Sequence, residues 1–139
     1  MMRYLHTMLR VRDPQTTLRF YCEHLGLQLL RKRDFEQGRF SLYFLATQPG
    51  APEVELTHNW DERAYTSGDN FGHLAYAVDD IYVTCARLQA GGVQILRPPR
   101  DGHMAFVKDP NGISIELLQA GEALPPAEPW RSMPNVGSW

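Results

Sequence analysis

Two histidines and two glutamates occupy matching places in two similar halves of the chain. His6 lies near the start of the segment LHTMLRVRDP, and His73 lies in the equivalent position of FGHLAYAVDD. Glu55 and Glu116 each interrupt the last apolar segment of a half, VEL and ISIELL. Imidazole nitrogens and carboxylate oxygens together suit a borderline divalent ion, and two carboxylates balance its charge. The pattern therefore predicts that these four side chains form one metal site.

Each glutamate taken alone has a simpler interpretation. Alternation along a half-solvated strand permits an outward-facing carboxylate, whereas a carboxylate buried without a partner costs several kcal/mol. A shared site is favoured because all four placements follow the repeat. The remaining histidines do not follow it and are predicted not to be ligands: His24, His58 and His103. His58, for example, comes three residues after Glu55, on the opposite face of the strand.

The elements that must carry these residues can be predicted from periodicity. Residues 4–11 alternate as a strand does, and Asp13 followed by Pro14 is a typical helix start. Apolar residues at spacings of three and four then continue to Gly26, where the helix is predicted to end. Three further strands are predicted at Leu27–Leu30, Arg39–Leu45 and Glu53–Asn59.

The same order of elements returns in the second half. A strand is predicted at His73–Val78, a helix begins after Asp79 or Asp80, and Gly91 ends it. Three more strands are predicted at Val93–Leu96, His103–Val107 and Ser114–Leu118. Repetition on this scale predicts an α+β fold of two βαβββ modules, whose curved mixed sheets surround the metal site.

The two modules are predicted to form one domain, which a tail follows. After Gln119 the chain is rich in proline and has no period. This tail is either mobile or an extended arm whose Trp130 and Trp139 dock on a neighbouring surface. The predicted boundaries are residues 1–120 for the domain, with modules at about 3–60 and 70–120, and residues 121–139 for the tail.

Composition excludes several classes of function. The chain has 139 residues, a net charge of -2 and a sequence pI of about 6.2, so it lacks the positive field that attracts nucleic acids or anionic membranes. No apolar run approaches the ~20 residues of a membrane span, and MMRYLHTML is not expected to be a secretory signal. Cys22 and Cys85 fall in helical segments and are predicted to be buried thiols. A cytoplasmic domain is expected.

Over roughly residues 1–120 the chain resembles the glyoxalase I (lactoylglutathione lyase) family of the vicinal oxygen chelate superfamily. LHTMLRVRDPQTTLRFYCEHLGLQLLRK is similar to the opening strand and helix, VELTHNW to the first glutamate strand, FGHLAYAVDD to the second histidine strand and FVKDPNGISIEL to the closing strand. The resemblance implies a homodimer in which each metal site is shared by two chains. Its metal positions fall on His6, Glu55, His73 and Glu116. The lack of inserted segments is similar to the shorter bacterial enzymes and implies Ni(II) or Co(II), whereas Zn(II) serves in longer members.

The resemblance also implies a reaction. Methylglyoxal and glutathione combine spontaneously into a hemithioacetal, which the family isomerises to S-lactoylglutathione, so glutathione is a co-substrate. The metal stabilises the enediolate that develops when a proton leaves C1, with Glu116 as the favoured base and Glu55 as its partner for the other hand of the substrate. Arg10 and Asn59 match positions that hold the γ-glutamyl end of glutathione in the family.

Two segments depart from the family pattern. Asp69 stands where some relatives have an arginine, and RPPRDGHMAF replaces a longer segment rich in glycine and lysine, so Arg97 and Arg100 are the candidate anion-binding cations there. Two other functions therefore remain open. One is another enzyme of the superfamily with a different substrate, such as an isomerase, an epimerase or a ring-cleaving dioxygenase. The other is a metal-free protein that binds small molecules. The four-ligand set argues against a dioxygenase, which takes two histidines and one carboxylate.

Overall fold

The structure, a computed structural model, describes residues 1–139 and divides them into two compact units, Met1–Thr66 and Ser67–Trp139. Each unit contains a mixed β-sheet and one short helical segment between its first two strands. No helix is long enough and apolar enough to cross a lipid bilayer. The predicted α+β class is confirmed.

The first unit is built on a four-stranded sheet. Its strands are β1 (His6–Arg10), β2 (Gln28–Phe35), β3 (Phe40–Ala46) and β4 (Glu53–Asn59). They lie side by side in the order β1-β4-β3-β2, with β1 parallel to β4 and the other neighbours antiparallel. The first and last strands of the module are therefore neighbours, which brings the histidine strand beside the glutamate strand.

A short helix connects β1 to β2. α1 (Pro14–Leu18) begins at Asp13, whose side chain accepts a hydrogen bond of 3.1 Å from the Gln15 N–H, as the sequence predicts. The chain continues as a π-helical turn at Arg19–His24. Gly26 then adopts a φ of +87°, a left-handed conformation that ends the helical segment at low steric cost.

One face of the first sheet forms the core of its unit. Side chains alternate across a strand, so only one of the two alternating sets of residues on β1 and β4 faces the core. Its buried side chains include Leu9, Leu45, Val54 and Leu56 on the strands and Phe20 and Tyr21 on the helical segment. His6 and Glu55 belong to the other set of alternating residues and lie on the opposite face.

The second unit repeats this arrangement with three strands. Its elements are β5 (His73–Val78), α2 (Ile81–Ala90), β6 (Met104–Lys108) and β7 (Ser114–Gln119). The strands lie in the order β5-β7-β6, with β5 parallel to β7 and β6 antiparallel to it. The first and last strands are again neighbours. Buried side chains include Ala105, Val107, Ile115 and Leu117 on the sheet and Ile81, Cys85 and Leu88 on the helix.

The ends of α2 follow the predicted signals. Asp80 caps the start by accepting hydrogen bonds of 2.9 Å and 3.0 Å from the Tyr82 and Val83 N–H groups. Gly91 follows the last residue of the helix. Cys85 lies on the buried face, where burial raises the pKa of its thiol to about 12. This thiol is therefore a core residue, as expected, whereas Cys22 is partly exposed.

Gln119 joins the helix to the sheet of the second unit. Its side chain is buried at the end of β7, where Oε1 accepts a hydrogen bond of 2.8 Å from the Ile81 N–H. Its Nε2 donates a hydrogen bond of 2.7 Å to the Asp79 carbonyl. The amide thus satisfies backbone groups at the entry to α2 that burial would otherwise leave unpaired.

The strand predicted at Val93–Leu96 does not form. An isolated bridge between Arg97 and Phe106 of β6 comes directly after this segment. Two prolines follow immediately, Pro98 and Pro99, and they have no N–H with which to extend the ladder. The second sheet therefore has one strand fewer than the first, although the order of its remaining elements is the predicted one.

The proline-rich tail packs on the second unit as an arm. Trp130, in a single 3-10 turn, is 5% exposed and stacks on Tyr82 with ring centroids 6.5 Å apart. Near the start of the tail the Leu124 N–H donates a hydrogen bond of 3.0 Å to the Gly102 carbonyl. Of the two interpretations of the tail, the docked arm describes the structure.

The last ten residues of the tail are held by further hydrogen bonds. Arg100 donates to the Met133 carbonyl at 3.0 Å and to the Asn135 side chain at 2.8 Å. The Val136 N–H donates to the Leu96 carbonyl at 2.8 Å. The tail thus pairs with the segment that was predicted to be a strand.

Candidate metal centre

The first unit brings His6 and Glu55 into contact. β1 pairs with β4 so that Met8 lies opposite Glu55. Paired residues have their side chains on the same face of the sheet, so Met8 and Glu55 share a face. His6, two residues before Met8 on the same strand, has its side chain on that face as well. The result is a distance of 2.6 Å between His6 Nε2 and Glu55 Oε2.

The second unit repeats this geometry at His73 and Glu116. Here β5 pairs with β7 so that Ala75 lies opposite Glu116, and His73 again comes two residues earlier. His73 Nε2 lies 3.4 Å from Glu116 Oε1. The two pairs therefore occupy the same register position in their sheets, which is the structural form of the repeat seen in the sequence.

Each pair combines an accessible imidazole with a more sheltered carboxylate. The histidine side chains are 39% and 42% exposed, whereas the glutamate side chains are 13% and 17% exposed. No group of three or more histidine, cysteine, aspartate or glutamate side chains arranged to hold a metal ion occurs. Each unit thus supplies one nitrogen donor and one carboxylate, half of the predicted set.

A phenylalanine packs against the histidine in both units. Phe44 of β3 lies opposite Glu55 and meets His6 edge-on, with ring centroids 6.4 Å apart and an interplanar angle of 79°. Phe106 of β6 lies opposite Glu116 and meets His73 in the same way, at 5.2 Å and 88°. Sequence reasoning missed both rings. Each lies on the strand just before a glutamate strand, but only the antiparallel register shows that it faces the glutamate.

An ion pair lies beside the first pair. The Arg31 guanidinium sits 3.9 Å from the centroid of the Phe44 ring and donates two hydrogen bonds of 2.9 Å to Glu53. These bonds lower the pKa of Glu53, which lies opposite His6 in the β1–β4 register. Glu53 is therefore neutralised by Arg31, which leaves Glu55 as the carboxylate that contacts His6.

A cavity of about 470 Å³ opens beside His6 within the first unit. The residues that line it include Arg31, Phe44 and Glu53 together with the chain before β1 and before β4. Pockets of this size accept small ligands. His6 therefore faces both Glu55 and a space that a ligand can enter.

A tryptophan stacks on the phenylalanine of the second pair, as the Arg31 guanidinium does on that of the first. The Trp139 ring stacks on Phe106 with centroids 5.6 Å apart and an interplanar angle of 19°. The two pairs thus share their histidine, glutamate and phenylalanine but differ in the group that covers the phenylalanine.

The predicted substrate-binding residues lie on the same face of the first sheet as the His6–Glu55 pair. Arg10 comes four residues after His6 on β1, and Asn59 comes four residues after Glu55 on β4. An even spacing along a strand keeps side chains on the same face. Arg10 is exposed. Asn59 Nδ2 donates a hydrogen bond of 2.8 Å to the Tyr65 hydroxyl.

The two arginines of RPPRDGHMAF have partners within the second unit. Arg97 forms an ion pair of 3.3 Å with Asp101 and also donates to the Pro98 and Met104 carbonyls. Arg100 is engaged by the tail. Both cations thus have partners within the unit, and their role in anion binding stays a prediction.

The other three histidines lie away from the two pairs. His58 lines a separate cavity of about 560 Å³ with Arg12 and Trp60, among others. His24 ends the π-helical turn. His103 precedes β6, in a turn where Asp101 accepts a hydrogen bond from its N–H.

Comparison with known proteins shows the family to which the chain is related. Residues 3–117 match the model of the Glyoxalase/Bleomycin resistance protein/Dioxygenase superfamily. A probable lactoylglutathione lyase of Synechocystis sp. is 44% identical over 122 residues, which cover 83% of this chain and 93% of that protein. The chain belongs to the glyoxalase I (lactoylglutathione lyase) family. A lactoylglutathione lyase of Pseudomonas aeruginosa, 41% identical over 142 residues, covers 83% of this chain and 81% of its own.

A solved structure extends the similarity to the fold. The trypanothione-dependent glyoxalase I of Leishmania major superposes with a TM-score of 0.82 at 38% identity, covering 86% of this chain and 87% of that one. The glyoxalase fold and the assignment of the chain as an enzyme of the glyoxalase I family, both expected from the sequence, are confirmed.

Proposed function

We propose that this chain isomerises the hemithioacetal of methylglyoxal and glutathione to S-lactoylglutathione. The observation that carries the proposal is the repeated His–Glu pair, which lies at the same register position in both units. In a member of the glyoxalase I family, an imidazole and a carboxylate in contact on the open face of each sheet are suited to metal binding and proton transfer.

The donors fit a divalent ion in kind and in spacing. Imidazole nitrogens and carboxylate oxygens are ligands that divalent ions of this kind take in proteins. The nitrogen and the oxygen of the two pairs are 2.6 Å and 3.4 Å apart, so one ion could contact both atoms of a pair. We propose that one Ni(II), Co(II) or Zn(II) ion takes its ligands from both pairs, His6 with Glu55 and His73 with Glu116. Such an ion supplies positive charge that stabilises negative charge developing on the substrate oxygens.

The two glutamates then move the proton. Glu116 takes the hydrogen from C1 of the hemithioacetal, the carbon that carries the sulfur, and returns it to C2, the former ketone carbon. The hydroxyl proton passes from the C1 oxygen to the C2 oxygen, so the product is an isomer of the substrate. Glu55 plays the same part for the opposite enantiomer of the hemithioacetal. Both carboxylates are sheltered from water, which favours return of the same proton.

Arg10 and Asn59 are positioned to hold the other end of glutathione. They lie four residues beyond His6 and Glu55 along parallel strands, which is about 13 Å at the rise of a strand. An extended tripeptide reaches about 10 Å, and the γ-linkage and the hemithioacetal carbons supply the remainder. The Arg10 guanidinium would pair with the γ-glutamyl carboxylate.

We also infer that the active enzyme is a cytoplasmic homodimer, as the family suggests. Multi-angle light scattering of the metal-loaded protein tests the oligomeric state. A mass of two chains is expected, and a monomer with full activity would contradict it.

The activity itself is tested with protein loaded with Ni(II), Co(II) or Zn(II). Methylglyoxal and glutathione are mixed, and the thioester absorbance is followed. Glu116→Gln is expected to lower kcat by at least about a hundredfold, the usual contribution of a general base. Glu36→Gln is the matched control, because Glu36 is exposed in the turn between β2 and β3. The absence of any rate above the uncatalysed one with all three metals would refute the proposal.

A further inference from the structure

The C-terminal residue presents an aromatic surface beside the second His–Glu pair. Trp139 stacks on Phe106, and the edge of Phe106 meets His73. Phe106 is only 7% exposed, whereas Trp139 remains 43% exposed. Trp139 therefore presents an accessible indole ring on the phenylalanine that contacts His73.

This indole is held in place by the tail that carries it. Three residues before it, the Val136 N–H is hydrogen-bonded to the Leu96 carbonyl at 2.8 Å. One residue earlier, the Asn135 side chain accepts a hydrogen bond of 2.8 Å from Arg100. Further back, Trp130 is buried against Tyr82. A fixed ring loses little conformational entropy when a ligand packs against it, so its contacts contribute efficiently to binding.

The corresponding phenylalanine of the first unit contacts a charged group instead. There Phe44 is covered by the Arg31 guanidinium, which is paired with Glu53. The sequence thus supplies a cation next to one histidine and an uncharged aromatic ring next to the other. The two units have the same histidine and glutamate donors. They differ in the group near those donors that could contact the rest of a ligand, which is a guanidinium in the first unit and an indole in the second.

We propose that Trp139 forms the wall of the substrate site beside His73 and Glu116 and favours hemithioacetals whose carbonyl compound carries an aromatic or bulky apolar group. This inference rests on the proposed glyoxalase reaction and adds a specificity-determining residue to it. The substituent of the carbonyl compound is bonded to C2, the carbon that receives the proton from Glu116, and Phe106, on which the indole stacks, lies opposite Glu116 in the β6–β7 register. A phenyl group there gains an aromatic contact with the indole, whereas a methyl group gains little.

The first test is substrate selectivity. The value of kcat/KM is measured for the glutathione hemithioacetals of phenylglyoxal and methylglyoxal. Trp139→Ala is expected to lower kcat/KM about five- to tenfold for the phenyl substrate, mainly through KM, and less than about twofold for the methyl substrate. Trp139→Phe is expected to restore most of the loss. A matched control is Phe35→Ala, since Phe35 is also a stacked aromatic, 38% exposed, with Phe40 as its partner at 4.8 Å.

A second test does not depend on catalysis. Metal-loaded protein is titrated with S-benzylglutathione and S-methylglutathione while tryptophan fluorescence and the heat of binding are measured. The benzyl compound is expected to bind Trp139→Ala about five- to tenfold more weakly than the unmodified chain, with equal binding of the methyl compound. Its fluorescence response is expected to fall in Trp139→Phe.

The outcomes separate this inference from the proposed function. An active enzyme whose selectivity is the same with and without Trp139 would overturn the inference and leave the reaction intact. If the protein is inactive but its affinity for S-benzylglutathione still depends on Trp139, the proposed reaction is refuted and the role of Trp139 in binding is supported. Equal benzyl affinity in both proteins would overturn the inference whether or not the enzyme is active.

Discussion

Gly102 is the position where one methyl group tests the docking of the tail. Its φ is +70°, and a Cβ added there would lie 2.0 Å from the Leu124 carbonyl oxygen and 2.8 Å from the carbonyl carbon. Both obstacles are backbone atoms, which cannot move aside as a flexible side chain can. In Gly102→Ala the tail must therefore shift away from the turn, and the hydrogen bond from the Leu124 N–H to the Gly102 carbonyl is lost.

The magnitude follows from three effects. A left-handed conformation costs a residue with a Cβ about 1–2 kcal/mol. Forcing the extra methyl group into an occupied space costs about 1–3 kcal/mol, and the lost hydrogen bond about 0.5–1.5 kcal/mol. The free energy of unfolding is thus expected to fall by about 2.5–6.5 kcal/mol. Gly112→Ala is the matched control, because Gly112 has a φ of +85° and no atom within 4 Å of the added Cβ. Only the backbone cost of about 1–2 kcal/mol is expected there.

Urea denaturation followed by tryptophan fluorescence measures both variants. Trp130 and Trp139, two of the three tryptophans, lie in the tail, so the signal reports its docking. The reasoning is refuted if the two variants are destabilised equally, within about 0.5 kcal/mol, because Leu124 would then not lie over Gly102.

Two further changes probe the polar contacts of the second unit. Gln119→Leu should lower the free energy of unfolding by about 2–3 kcal/mol in urea denaturation, because the buried Ile81 N–H loses its acceptor; an unchanged midpoint would contradict the bond. Partial burial raises the pKa of Asp101, but hydrogen bonds from Arg97 and two backbone N–H groups outweigh it and lower the pKa to about 2. The carboxylate therefore stabilises the fold above its usual pKa, and this stabilisation is lost as the pH falls towards about 2. Asp101→Asn should be less stable by about 1 kcal/mol at pH 7, after allowance for screening of a side chain that is 48% exposed. The difference in the free energy of unfolding between the unmodified chain and Asp101→Asn should disappear as the pH falls towards about 2. A difference that does not change with pH would contradict this explanation.

Much of the fold was accessible from the sequence because its signals are local. Two predicted strands, Glu53–Asn59 and His73–Val78, match the structure residue for residue. Alternation marks a half-buried strand without reference to its partners. The capping residues Asp13 and Asp80 are equally local, because an N-cap bonds N–H groups two and three residues away.

What the sequence did not reveal depends on pairing between distant segments. Phe44 and Phe106 face the histidines only because of the antiparallel register of the strand before each glutamate. Register is set by the turn and by the whole hydrophobic face, so a single residue carries no sign of it. The irregular segment at Val93–Leu96 had a visible cause in the two prolines that follow it, although its apolar residues alone predicted a strand. The sequence offered docking of Trp139 as one of two interpretations of the tail, but the ring on which it stacks, Phe106, belongs to a distant segment that no local pattern identifies.

The four-residue site can be tested most directly by metal content. Protein loaded with Ni(II) is separated from free metal by gel filtration, and the ion is counted by mass spectrometry. If His6, Glu55, His73 and Glu116 hold one ion together, the chain binds one equivalent, and His6→Ala and His73→Ala each lose it although the two histidines belong to different units. His58→Ala is the control and should keep the full equivalent. Two equivalents per chain, with each histidine variant losing only one, would contradict the shared site.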